Sequence, residues 1–261
     1  MNLVANRSKK DAYKHQATHN HEYAAPLNVV KQDFYIGPRK IILTDITYLY
    51  YGPARTPVYL CAFKDAYTKE ILGHHVDTHM TVELVKTAYD VMMEKHGAEL
   101  SRAECVIHSD QGSQYLSTTF HKLLSDDAFI QSVSGQGNSQ DNTPMESFFG
   151  RMKCELLDLI ALCPSAVVVA KMVDGYMTAY NTQHYQYALA GLTPSEYYTY
   201  VTTGIYPIDN YYGIKATELM PIQALIAARC RVAEENAKSA RRADAKKRSI
   251  VQGEKKHRNS S

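Results

Sequence analysis

Cysteine is scarce and scattered. The five present are Cys61, Cys105, Cys154, Cys163 and Cys230, and no two form a C-x-x-C pair. That excludes a disulfide framework and a cysteine zinc site. They read as free thiols, several in the core, of a protein kept in a reducing compartment. Tryptophan is absent. No apolar run approaches the roughly 20 residues that span a bilayer, so no membrane association is expected. The opening residues, MNLVANRSKKDAYKHQ, carry no apolar stretch behind their basic residues. They do not read as a secretion signal, and the expected location is the cytoplasm. No repeat of fixed period is visible.

What is there suits a soluble globular domain with extensions: 261 residues, 45% hydrophobic and 21% charged. The net charge of +2 conceals an asymmetry. Residues 215–261 hold 12 Lys and Arg against 5 Asp and Glu, a net +7, which leaves the rest at −5. A basic tail on a mildly acidic body suits a polyanionic partner for the tail. Charge alone is better met by a solvated helix, and the body is not an obvious DNA-binding surface. Near the N-terminus, His15, His19 and His21 have a spacing that can bind metal. No cysteine or acidic residue is placed to complete a tetrahedral set, so no site is expected there.

Residues 1–38 look irregular. From Lys40, KIILTDITYLYY is β-branched and aromatic between Pro38 and Gly52-Pro53, and reads as a strand. TPVYLCAFKDA and TKEILGHHVD follow as two more strands of an antiparallel meander. TVELVKTAYDVMMEKHG has helical apolar spacing, with Thr81 placed to cap its start and Gly97 its end. AECVIHSD is a short buried strand ending at Asp110, Thr118 to Leu124 is helical, and AFIQSVS is a fifth strand. After the glycine- and amide-rich loop SGQGNSQDNT, Pro144 opens the helix PMESFFGRMKCELLDLI, with Thr143 as its expected cap. Another helix covers residues 165–182. The segment LTPSEYYTYV follows a turn, and residues 215–250 read as one long polar helix. The order β-β-β-α-β-α-β-α implies an α/β architecture. It is the order of the ribonuclease H-like fold, a mixed five-stranded sheet flanked by helices.

Three acidic residues stand out in that order. Asp45 lies mid-strand, where a carboxylate is costly unless it is paired or binds a cation. Asp110 leaves the fourth strand in HSDQGSQY, where Gly112 permits a tight turn. Glu146 lies in the first turn of the helix after the glycine-rich loop. With the first and fourth strands adjacent and that helix returning across them, the three carboxylates converge. Clustered carboxylates repel one another unless divalent cations sit between them, and oxygen-only ligands favour Mg²⁺ or Mn²⁺. Two such ions roughly 3.5–4 Å apart clamp the attacking and leaving oxygens of an in-line phosphoryl displacement. By spacing alone, each acid is better read as ordinary surface charge.

The surrounding motifs decide between those readings. TDITYL around Asp45, HSDQGSQY around Asp110 and GNSQDNTPMESFFGRMKCE around Glu146 resemble the integrase-type DDE transposases of bacterial insertion sequences. The match is nearest to the second reading frame of the insertion-sequence-three family. Between the second and third acids lie 35 residues, the spacing typical of that family and of retroviral integrases. The resemblance spans residues 26–200. It implies an integrase-type catalytic core at 39–200; the irregular arm at 1–38 precedes it, and the linker with a basic helical tail at 201–261, not a standard part of the match, follows it. It implies that Asp45 bridges two metal ions, with Asp110 on one and Glu146 on the other. Lys153, seven residues after Glu146 where the family carries Lys or Arg, shares a helix face with it and is expected to contact a DNA phosphate. Asn138 and Asn142 either touch DNA or shape the loop.

The chain also departs from the family. Relatives carry a tryptophan just before the TDIT motif, where Ile41-Ile42-Leu43 stands here, a matter of packing more than of chemistry. In YNTQHYQYALAGLTPSEYY, Tyr180 and Asn181 match, whether to pack the last helix or to approach DNA. His184 replaces a common arginine, a largely neutral imidazole in place of a permanent cation. Residues 1–38 are too short and irregular for the helix-turn-helix that reads element ends. A helix-turn-helix partner or a fused upstream frame is therefore expected, and the chain's own DNA binding should be weak, salt-sensitive and unspecific. The implied function is a transposase that cuts element ends and joins the 3′-hydroxyl to target DNA, as a homo-oligomer on DNA. The alternatives are a nuclease that cuts without joining, and a catalytically silent regulatory or remnant DNA-binding protein.

Overall fold

Alternating and continuous apolar runs dictate a sheet, and two turns separate its first three strands. The computed structural model describes residues 26–135 and 142–206. In chain order these form β1 (Ile41–Tyr51), β2 (Thr56–Asp65), β3 (Ile71–Asp77), α1 (Val82–His96), β4 (Val106–Ser109), α2 (Thr118–Asp126), β5 (Ile130–Val133), α3 (Thr143–Ala161), α4 (Ala166–Gln183) and α5 (Pro194–Thr203). The sheet order is β3-β2-β1-β4-β5. β1 pairs antiparallel with β2 and parallel with β4, β2 pairs antiparallel with β3, and β4 pairs parallel with β5. This is the ribonuclease H-like mixed sheet that the element order implies.

β1 is central because it is apolar on both faces. Ile41, Leu43 and Leu49 pack with α3 and α4, while Ile42 packs with α1 and α2. The sheet is thereby sandwiched between two helical layers. Asp45 belongs to the odd-numbered set and faces the α3 side. On the opposite side, α1 seats so closely on β3 that a Cβ at Gly73 would lie 2.4 Å from the Ala88 carbonyl oxygen. Glycine is required there for close approach of two backbones.

Three local expectations change. Thr81 stands at the N-cap of α1 without a side-chain cap bond, and Gly97 ends that helix in the right-handed conformation. The N-cap of α3 is Asn142, not Thr143, which is already helical. LTPSEYYTYV contains α5, started by a capping box in which Thr193 and Glu196 exchange hydrogen bonds.

Polar ties fasten the C-terminal helices to the sheet. Asn181 accepts from the Ile71 amide at 2.9 Å and donates to the Ile71 carbonyl at 2.8 Å, closing part of the β3 edge. Arg39, 4% exposed, holds Asp65, Glu70 and Glu99 at 2.7–3.1 Å and stacks 3.9 Å from the Tyr198 ring of α5. The arm is attached too: Val30 is buried, and the Val29 amide donates to Ser132 Oγ at 3.1 Å. Among the described residues no helix is long and apolar enough to cross a membrane. His15, His19, His21, Asn138, Cys230 and the basic tail lie outside the described residues.

Candidate active site

The site begins with one misplaced-looking residue, an aspartate at the centre of an apolar strand. Asp45 pairs with Ala62 of β2 across the ladder. One carboxylate oxygen accepts from the Ile46 amide at 2.7 Å. Burial raises its carboxyl to about 7 from an ordinary 3.8, and the charges of Asp110 and Glu146 push the same way. The Ile46 amide and Lys153 oppose the shift. Residues 110, 146 and 153 are thus brought within electrostatic reach of Asp45.

Asp110 is carried past the end of β4, beside β1. Its Oδ1 accepts from the Gly112 amide at 2.9 Å. Gly112 is needed for room and not for a left-handed backbone: a Cβ there would lie 3.0 Å from that same oxygen and 3.3 Å from the Tyr115 ring. The turn is anchored from below. Tyr115 Oη lies 3.2 Å from Thr44 Oγ1, so the residue before Asp45 is tied to the loop after Asp110.

Glu146 sits exposed in the first turn of α3. Lys153, partly buried on the same helix, has its ammonium pushed down by desolvation and pulled back up by Asp45. The helical spacing therefore delivers the expected face. Asn142 is 4% exposed, and its Nδ2 donates to the Thr44 carbonyl at 3.4 Å. Its amide is buried against the first strand. Lys64, which the sequence reading passes over, is also 4% exposed and donates from Nζ to the Pro144 carbonyl at 2.9 Å. A lysine inside YLCAFKDA was the available signal. Tyr180 packs against Phe148 at 4.8 Å and His184 at 5.8 Å between ring centroids, and so helps seat α4 on α3.

Among the described residues no three His, Cys, Asp or Glu side chains already enclose the position of one ion. The donor set nonetheless fits a hard divalent cation. It is all carboxylate, and burial first, then the charges of Asp110 and Glu146, raise Asp45 to about 7, a cost a cation would relieve. Glu146 is exposed.

Residues 37–139 match the integrase core domain family. The chain is 29% identical over 205 residues to the transposase for insertion sequence element IS904 of Lactococcus lactis, a match covering 77% of this chain and 78% of that protein. It is 32% identical over 173 residues to an uncharacterized transposase-like protein of Haemophilus influenzae, covering 66% and 77% respectively. The HTLV-2 integrase catalytic core domain, solved in complex with magnesium, aligns with 63% of this chain and 99% of its own length at 16% identity, with a TM-score of 0.46.

Proposed function

The chain belongs to the insertion-sequence-three family of DDE transposases, and on that premise we propose that Asp45, Asp110 and Glu146 form its phosphoryl-transfer site. The observation that carries this reading is the Asp45 carboxyl, raised to about 7 in part by Asp110 and Glu146. Three acids far apart in sequence act on one another at one place, beside a cation at Lys153.

The three carboxylates are the residues that would hold divalent cations, Mg²⁺ or Mn²⁺, with two ions expected. When bound, such cations supply Lewis acidity, activating the attacking hydroxyl and neutralising the departing oxygen. The chain's own groups do the rest. Asp45, common to the set, sits on the rigid central strand and fixes the reference point. The Gly112 turn and the Thr44–Tyr115 contact hold Asp110 beside it. Lys153, two helical turns along α3 from Glu146, is placed to take a DNA phosphate and orient the scissile bond. Displacement at phosphorus then proceeds in line, with no covalent enzyme intermediate. Asn142, turned inward, serves loop geometry in this scheme.

The substrates are DNA element ends and target DNA, and synapsis of two ends calls for a homo-oligomer on DNA. Recognition of the ends falls to a helix-turn-helix partner or fused upstream segment, and the basic residues of 215–261 add unspecific attraction to phosphate. The test is strand transfer. Wild type and Glu146→Gln are incubated with Mn²⁺ and pre-cleaved oligonucleotides copying the element's ends. Joined product from the wild type alone is the expected result. Equal activity in Glu146→Gln refutes the assignment, and nicking without joining favours a nuclease.

A further inference from the structure

A lysine buried to 4% exposure in the middle of β2 is unusual enough to require a reason. Lys64 lies opposite Leu43 in the β1–β2 register, on the sheet face covered by α3, with Nζ 5.3 Å from the Phe148 ring centre. Among the described residues it forms no ion pair, and desolvation pushes its ammonium down to about 7. A leucine or methionine would fill the same space without that desolvation. The one thing only the lysine does is donate at 2.9 Å to the carbonyl of Pro144, two residues before Glu146.

Asn142 supplies an independent observation. It occupies the N-cap of α3, where asparagine ordinarily accepts from the helix's own amides, yet it makes no cap bond. Its Nδ2 is directed to the carbonyl of Thr44, the residue before Asp45. Its Oδ1 is buried without a hydrogen-bond partner. Local helix stability does not explain this choice, because the residue forgoes a cap bond and leaves an acceptor unsatisfied. Exceptions of that kind in a native structure call for a functional reason.

Both ties join the same two pieces. Asn142 and Pro144 open α3, and Thr44 with the Leu43–Lys64 pair forms the patch of sheet beside Asp45. We propose that Lys64 and Asn142 are positioning residues that brace the first turn of α3 against β1, keeping the backbone that carries Glu146 beside Asp45 so that its carboxylate can close on a divalent cation. This rests on the carboxylate-site reading above. Neither residue touches DNA or the reacting atoms; each acts through Glu146.

The experiment uses the full chain in three forms: Lys64→Met, Asn142→Ala and wild type. Each is measured for melting temperature without metal, Mn²⁺ affinity by electron paramagnetic resonance without DNA, and strand-transfer rate against Mn²⁺ concentration. Lys64→Met is expected to melt at or above the wild-type temperature, since an apolar side chain replaces a buried, unpaired amine. Its Mn²⁺ affinity should fall about tenfold, and its transfer rate by about a hundredfold, the scale of a one-ångström misplacement. Added Mn²⁺ should recover part of that rate. Asn142→Ala should shift affinity and rate the same way and keeps the test open if Lys64→Met fails to fold. Wild-type Mn²⁺ affinity and rate in both variants would overturn the brace, as would a loss of melting temperature with affinity and rate intact. Glu146→Gln separates the layers. If it too keeps Mn²⁺ affinity and activity, the carboxylate site is wrong. If it loses both while the brace variants do not, only the brace is wrong.

Discussion

Asp45→Asn is expected to stabilise the metal-free protein while ending its chemistry, and the size of the effect follows from the site. The Asp45 carboxyl is raised by burial, and further by Asp110 and Glu146, from 3.8 to about 7. A folded-state value above the unfolded one means stability is fully present below pH 4 and is lost as pH rises toward 7. Across that window the unfolded chain gives up a proton that the folded chain retains. A gap of that width corresponds to a ceiling of about 4 kcal/mol. Rotation of Asp110 and Glu146 away from the new charge reduces the realised penalty, to about 1–2 kcal/mol at the effective dielectric of such sites. Asparagine never ionises, so the variant escapes this loss. For a domain of this size the difference amounts to about 3–8 °C in melting temperature. Melting of wild type and Asp45→Asn would be followed by circular dichroism in EDTA from pH 5 to pH 8. The variant's advantage should already be present at pH 5, at roughly a third of its final size, grow to pH 7 and then level off. Mn²⁺ should raise the wild type and leave the variant nearly unmoved. An advantage independent of pH, or none at pH 7.5, would show that Asp45 ionises as an ordinary aspartate and that the three carboxylates are not coupled.

Other substitutions test the frame that holds the site. Gly73→Ala places a methyl 2.4 Å from the Ala88 carbonyl oxygen and 2.7 Å from Met92, so β3 and α1 must part. A loss of about 3 kcal/mol or more in urea unfolding is expected, and an unchanged midpoint would contradict the close seating of α1. Arg39→Ala leaves Asp65 and Glu70 buried without their cation and should cost about 3–5 kcal/mol in the same assay. Arg39→Lys should recover little of it, because an ammonium cannot serve three carboxylates and a tyrosine ring as the planar fork does. Removing residues 215–261 should weaken unspecific DNA binding and flatten its dependence on salt. An unchanged slope in filter binding would eliminate the tail as a DNA contact.

Much of this protein was legible before any coordinate. The apolar runs of KIILTDITYLYY and AECVIHSD, and the helical spacing in TVELVKTAYDVMMEKHG, specify their elements through local side-chain direction and propensity, which neighbours in sequence determine. The three acids stood out because the segments around them resemble those of integrase-type transposases, and Lys153 because seven residues return to one helix face. The T-P-S-E capping box of α5 was equally local and simply went unread.

What the sequence could not specify are the polar partnerships between distant elements. Arg39 meets acids 26, 31 and 60 residues away, and Asn181 closes a strand edge 110 residues away. Lys64 reaches Pro144 across 80 residues, and Asn142 turns its amide to Thr44 across 98. None has a local signature: a lysine in a strand and an asparagine beside a helix are each compatible with solvent, DNA or core. Their meaning depends on strand register, since a shift of one residue would send Lys64 to the opposite face, and on which helix covers that face. By itself the sequence singled out Asp45, Asp110 and Glu146 as the proposed site and determined on which elements they ride. Only the tertiary structure decided how those elements are held together, because hydrogen bonds between buried groups exist only once packing has excluded the water that would otherwise satisfy them.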